Sequence, residues 1–125
     1  MDETTTRQGF RDLIAWQKAI GLVVAIYKDS KDWPREEQFG LTAQVRRAAI
    51  SVPSNIAEGH GRSGAKEFLH HLSVAFGSLC EVETQLVLAE QLSFLEPADA
   101  GELFNRVTEV RNLLRGLLRS LRRAA

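Results

Sequence analysis

A single cysteine, Cys80, leaves the chain unable to close a disulfide on itself, so nothing covalent staples the fold. That usage fits a reducing compartment. The run Leu79-Cys80-Glu81-Val82 predicts a buried structural thiol. Charge of either sign in excess is also missing: sixteen basic and sixteen acidic residues sum to zero. A neutral chain has no global attraction to nucleic acid or to an anionic membrane, so any such affinity must come from a local patch. The opening Met1–Gly9 is polar, carries Asp2 and Glu3, and lacks the apolar core of a secretory signal. No stretch reaches the roughly 20 apolar residues of a membrane span. These features predict a cytoplasmic protein with no membrane partner. Internal repeats, low-complexity tracts and alternation with a period of two are missing as well, which argues against a solenoid, a linker or a sheet.

What is present is helical periodicity. The 125 residues fit one domain, and an apolar fraction of 44% can supply a core. Four segments repeat apolar residues at spacings of three and four. The first covers about residues 12–29, with Leu13, Trp16, Ile20, Val23 and Tyr27 as its inner stripe, and ends at Trp33-Pro34. The second covers about 35–58, with Leu41, Val45, Ala48, Val52 and Ile56 facing inward and Pro53 predicted to kink or break it. The third covers about 65–92 through Phe68, Leu72, Ala75, Leu79, Val82, Leu86 and Ala89. The fourth covers about 97–122 through Leu103, Val107, Val110, Leu114, Leu117 and Leu121, with Pro97 suited to its first position. Amphipathic helices joined by short connections predict an all-α, antiparallel up-and-down four-helix bundle. Residues 1–125 form one domain in this reading, its ordered core about 10–122 behind a flexible tail over 1–9.

The apolar surface exceeds one stripe per helix. Ile14, Leu22, Val24 and Ile26 on the first, Leu69, Val74, Phe76, Val87 and Leu88 on the third, and Phe104, Leu113 and Leu118 on the fourth lie outside the stripes. Two readings stand: a deeply buried helix, or a second face that packs on another subunit.

Catalytic and cofactor chemistry finds little to use. Gly59-His60-Gly61-Arg62-Ser63-Gly64 spells G-x-G-x-x-G, but the dinucleotide fingerprint needs a preceding strand, and a helix precedes it here. The run reads as an interhelical turn. Gly59 is expected to close the second helix in a left-handed conformation. Gly64 is expected to N-cap the third, with Glu67 reaching back as in a capping box. Glu67 and His71 lie one turn apart and could share a cation, but two ligands do not make a metal site. No nucleophile elbow, H-E-x-x-H or repeated Glu-x-x-His occurs, and no acid, base and nucleophile support one another. The expectation is a protein that is not an enzyme and has no cofactor or metal.

The charge anomaly is the fourth helix. Arg106, Arg111, Arg115, Arg119, Arg122 and Arg123 meet only Glu109 over the same stretch, and Arg111, Arg115 and Arg119 share a face. Such a face can be solvated, its cations suiting a helix C-terminus. The functional account is a patch for phosphate or an acidic protein surface, with Arg111, Arg115, Arg119 and Arg122 as its residues, and the solvated face is the preferred reading.

Pro53 denies the Ala49 carbonyl its usual donor, and Ser54 and Asn55 follow with groups that reach nearby backbone. Asn55 and Glu58 therefore read as structural, with Arg62 or Lys66, or Arg46 or Arg47 of an adjacent subunit, as partners for Glu58.

The run Ser51-Val52-Pro53-Ser54-Asn55-Ile56-Ala57-Glu58-Gly59 is specific, and it continues through Gly61-Arg62, Lys66-Glu67-Phe68, Gly77-Ser78-Leu79 and Glu81 to Leu86. With Phe10 to Leu13 and Trp16 it resembles the "four helix bundle protein" family, also called the 23S ribosomal RNA intervening-sequence proteins, over nearly all of residues 10–121. The resemblance implies a bundle that assembles as a homopentameric ring, of unassigned role. A related branch, the accessory variability proteins of diversity-generating retroelements, is strongly basic and works with a reverse transcriptase and RNA. This chain departs from that branch in being neutral, and it has Gly64 where relatives commonly have Ser or Thr. The reading that follows is an oligomeric, non-enzymatic helical scaffold, with an RNA- or reverse-transcriptase-binding accessory protein as the alternative.

Overall fold

A computed structural model describes residues 9–62 and 64–124. Apart from Gly9, the tail expected over residues 1–9 lies outside the described residues. Four helices make up the fold: α1 (Ile14–Ser30), α2 (Leu41–Gly61), α3 (Ala65–Gln91) and α4 (Pro97–Ala124). Single 3-10 turns, Phe10–Asp12 and Arg35–Glu37, precede α1 and α2. Among the described residues there is no strand.

Each helix packs against its neighbours in sequence, and α1 also packs against α4. Between the diagonal pairs no Cα atoms come within 8 Å of each other. Partners across α2 and α3 run in opposite order, Gln44 with Gln85, Ser51 with Ser78 and Asn55 with His71. The core in the middle is aliphatic and fully enclosed, with Leu22, Ile26, Val45, Ile56, Leu79 and Leu114 among its largest members.

The start of α2 departs from the sequence reading. Residues 35–40 were expected to be helical, but Gly40 adopts φ −106°, ψ −115°, which ends the 3-10 turn outside the helical region. The Glu37 carboxylate accepts the Leu41 N–H at 3.0 Å, supplying the acceptor that a glycine N-cap cannot. At the far end α2 runs continuously through Pro53 to Gly61, so of the expected kink or break the break does not occur. Pro53 is buried, and its ring is accommodated in the packed face of the helix.

The inner stripe of α1 is displaced by one residue from the expected one. Ala15, Ala19, Leu22 and Ile26 are buried, whereas Ile20 and Tyr27 are exposed. Two alanines at the contact let α1 approach its neighbours closely, and the larger residues are turned to the flank. The sequence pattern favoured the bulkier set because size, not position, dominates a hydrophobic count. A similar slip ends α4, where Leu118 is buried and Leu117 and Leu121 are half-buried. A straight helix drifts against a strict seven-residue repeat, which places position 118 inside the core after 114.

Gly59 does not close α2. It is buried inside the helix, and the left-handed glycine in this connection is Gly64, with φ +92°. Gly64 precedes α3 without any side-chain capping bond, so the expected capping box with Glu67 does not form. Cys80, expected to be buried, is exposed on the outer face of α3. By length and composition α3 alone among the described helices could cross a membrane. Part of its apolar content is used in the bundle, where Leu72, Leu79, Val82 and Leu86 are enclosed, and 39% of its most apolar stretch is buried.

Candidate functional site

Two polar regions stand out on this frame. The first lies along α4. Arg111 is ion-paired with Glu83 of α3 and is partly buried there, so it is not part of an unpaired cationic face. Arg115 lies over the Phe76 ring, 5.6 Å from guanidinium carbon to centroid, close enough for a cation–π contact. Arg115, Arg119, Arg122 and Arg123 then line one open hollow with Leu118. A second hollow joins Arg115 and Arg122 to Ser73 and Phe76 across the α3–α4 groove. Among the described residues no carboxylate lines either hollow. The helix begins with the opposite character. Asp99 and Glu102 face Asp29 of α1, whose carboxyl is raised above its ordinary value by desolvation and by those two charges, with Arg106 and Lys28 opposing. A neutral chain is thus charge-segregated along α4.

The second region is the α2–α3 seam around Asn55. Its amide donates to the Ser51 carbonyl at 2.9 Å and lies 3.0 Å from the Ser51 hydroxyl. That hydroxyl is 2.8 Å from the Ser78 hydroxyl on α3. The Asn55 side-chain oxygen faces His71 Nδ1 at 3.1 Å, which makes Nδ1–H the donor. Asn55 therefore ties the helical turn after Pro53 to α3. Glu58 is different. It is exposed and pairs with Arg62 four residues on, at 2.8 Å. Arg62 holds its carboxyl below the usual glutamate value, and the nearby His71 adds to that. An exposed pair of this kind contributes little to stability. Glu67 is exposed on the first turn of α3, and its nearest electrostatic effect is on Arg62.

The sequence reading named Asn55 but not its partners Ser51 and His71, nor Ser78, which pairs with Ser51. The i,i+4 spacing of Ser51 and Asn55 was a signal for the first. The other two depend on how α3 registers against α2. Among the described residues no three His, Cys, Asp or Glu side chains converge to hold a metal ion.

A helical bundle with a charge-segregated surface and a structural polar seam defines a class rather than an activity. The model of the 23S rRNA-intervening sequence protein family matches residues 11–116, and the chain belongs to that family. A search of curated proteins finds no match to it. Among solved structures it is similar to a protein of unknown function from the S23 ribosomal protein family of Bacteroides thetaiotaomicron. That likeness has a TM-score of 0.79 at 22% identity and covers 88% of this chain and 99% of the other. At that identity it speaks for the fold.

Proposed function

We propose that the protein is a non-enzymatic scaffold of the cytoplasm that works as an assembly of its own copies. The observation that supports this is the pair of apolar strips left on the outside of two diagonally placed helices. On α1, Val24 is 52% exposed and is accompanied by Ile20 and Tyr27; on α3, Leu88 is 48% exposed and is accompanied by Val74, Val87 and Leu92. Burial of these strips against another copy would remove them from water. Because the two strips lie on diagonal helices, one copy offers α1 to the α3 of the next. Such a heterologous contact closes into a ring or runs on as a filament. A ring of five is the number implied by the resemblance of the sequence. Sedimentation equilibrium at micromolar concentration tests the reading: a pentamer is expected, a dimer removes the ring, and a monomer removes self-assembly.

A second reading, an accessory protein that binds RNA or a reverse transcriptase, rests on the cationic hollow of α4. Repeated once per subunit, four weak phosphate contacts would add by multivalency. Replacing Arg115, Arg119 and Arg122 by Gln should abolish RNA retention at low salt, and retention by the parent should fall steeply as salt rises. A parent protein that retains no RNA at low salt ends this reading.

A further inference from the structure

We propose that α3 of one copy seats on the α1–α2 face of the next, with Phe39 as the apolar anchor of that face and Arg47 and Glu81 as the ion pair across the contact. This rests on the reading that copies associate, and it adds α2 and a charge pair to the contact.

The first observation is Phe39. It is 89% exposed, the most of any large apolar side chain among the described residues. Its backbone is nevertheless fixed. The Gly40 N–H donates to the Glu37 carbonyl at 2.9 Å, and the Glu37 carboxylate accepts the Leu41 N–H on the far side of Phe39. An aromatic held outward in this way loses little freedom when a partner covers it. Ile50, also exposed, carries the apolar surface along α2 beside the α1 strip.

Charge selects the occupant. From Leu41 to Asn55 the charged residues of α2 are Arg46 and Arg47, both basic. From Val74 to Leu92 those of α3 are Glu81, Glu83 and Glu90, all acidic. Each face repels its own kind and attracts the other, so a second copy supplies the complement. Arg46 is held over the Tyr27 ring, and Glu83 is held by Arg111. Arg47 and Glu81 are exposed, and neither makes an ion pair among the described residues.

The heights agree as well. Gln44 meets Gln85 and Ser51 meets Ser78. Arg47 lies three residues past Gln44 and Glu81 four before Gln85, so the two stand within about one residue's rise, 1.5 Å, of the same height. Phe39 precedes α2 at the end of the bundle where the α1–α2 and α3–α4 connections meet, as the 6.0 Å approach of Trp33 and Phe94 shows. Leu88 and Leu92 of α3 stand exposed at that same end. On the other side of Arg47, Ile50 is near the height of Gly77, an exposed glycine with open space where a side chain would be. Rotation about an axis along the bundle leaves heights unchanged. Neighbours in such a ring therefore match Phe39 with Leu88 and Leu92, Arg47 with Glu81, and Ile50 with the gap at Gly77.

The test is sedimentation velocity on the full-length chain at micromolar concentration, with Phe39→Ser, Arg47→Glu and Glu81→Arg. All three positions are exposed, so the variants should fold, which circular dichroism checks. Each alone is expected to weaken association about tenfold or more, as loss of a central anchor or an opposed charge does. The deciding sample is an equal mixture of the two charge variants. Each reversed position then faces its reversed complement and each original position its original one, so association should return. A pair inside one subunit cannot be restored by mixing. Charge variants that dissociate and do not recover together assign Arg47 and Glu81 to their own subunit and overturn the contact. An assembly that none of the three changes weakens overturns it too, while leaving association through another face. A wild-type monomer removes this proposal together with the self-assembly on which it rests.

Discussion

Gly59 of α2 lies so close to His71 of α3 that a methyl group on it would come within 2.6 Å of the histidine Cβ. Phe68 closes the same space at 3.1 Å. The glycine is there for helix approach. That approach also brings His71 to Asn55, one turn earlier on α2, and so sets the register of the seam. Gly59→Ala is therefore expected to destabilise the protein by about 1–3 kcal/mol, the usual cost of overpacking. Gly101→Ala is the control. Its added Cβ would meet nothing within 4 Å, and its φ is not left-handed, so the change should stabilise by up to about 1 kcal/mol through helix propensity. Thermal melts of the two variants should move in opposite directions.

Asn55 and His71 should be energetically coupled. Asn55→Ala removes two contacts to Ser51 and the acceptor of the His71 Nδ1–H. The expected loss is on the order of 1–3 kcal/mol, because partly buried groups are left without partners. A double-mutant cycle with His71→Ala should return a coupling energy of at least about 0.5 kcal/mol. Strict additivity would show that the contact between the helices contributes nothing. Glu58→Ala, by contrast, should barely change the melt, since that carboxylate and its Arg62 partner are both half in solvent.

The helices and most of their inner faces were legible in the sequence because a period of 3.6 survives without any knowledge of neighbours. The stripes of α2 and α3 illustrate this, and Val45, Val52, Leu72 and Leu79 are all enclosed. The stripe of α1 was not legible. Its contact is made by Ala15 and Ala19, and small residues are weighted lightly until a neighbouring helix is known to come close. The capping of α2 by Glu37 was hidden for a related reason, since it depends on the conformation of Gly40 and not on composition. The arginines of α4 were visible as a charge anomaly, but only the register of α3 reveals that Glu83 occupies Arg111. Trp33 read as a helix stop. That its indole N–H has no partner is a property of packing alone.

Asp29 should give a pH dependence of unusual sign. Its folded-state carboxyl is raised by desolvation and by Asp99 and Glu102, so the folded protein binds that proton more tightly than the unfolded chain does. A raised acid costs stability wherever it is ionised, which is above its folded value. The cost fades as pH falls and vanishes below the ordinary value of 3.8. Asp29→Asn is thus expected to raise the melting temperature at neutral pH and to lose that advantage in strong acid. Glu58 has the opposite sign: its depressed value adds a small stabilisation above the ordinary glutamate value of 4.5, lost as pH falls through the depressed one. Melting curves of wild type and Asp29→Asn across this range should converge at the acid end. Curves that stay parallel would mean that Asp29 is not repelled by its neighbours.

If copies associate through α1 of one and α3 of the next, each strip can be disabled separately. Val24→Glu places a charge in the α1 strip, and Leu88→Glu places one in the α3 strip. Both positions are about half exposed, so neither change should unfold the subunit. Each variant alone has lost one half of every contact and is expected to sediment as a monomer. Mixed in equal amounts, they retain one compatible pair of faces: the intact α3 strip of Val24→Glu and the intact α1 strip of Leu88→Glu. The mixture should therefore form a heterodimer and stop there, because both outer ends of that dimer are charged. A symmetric contact behaves differently. If α1 met α1, the Leu88→Glu variant would remain associated by itself, and if α3 met α3 the Val24→Glu variant would. Sedimentation velocity on the two variants and their mixture separates the three geometries, and a mixture that stays monomeric, from variants that are folded by circular dichroism, places the contact elsewhere on the surface.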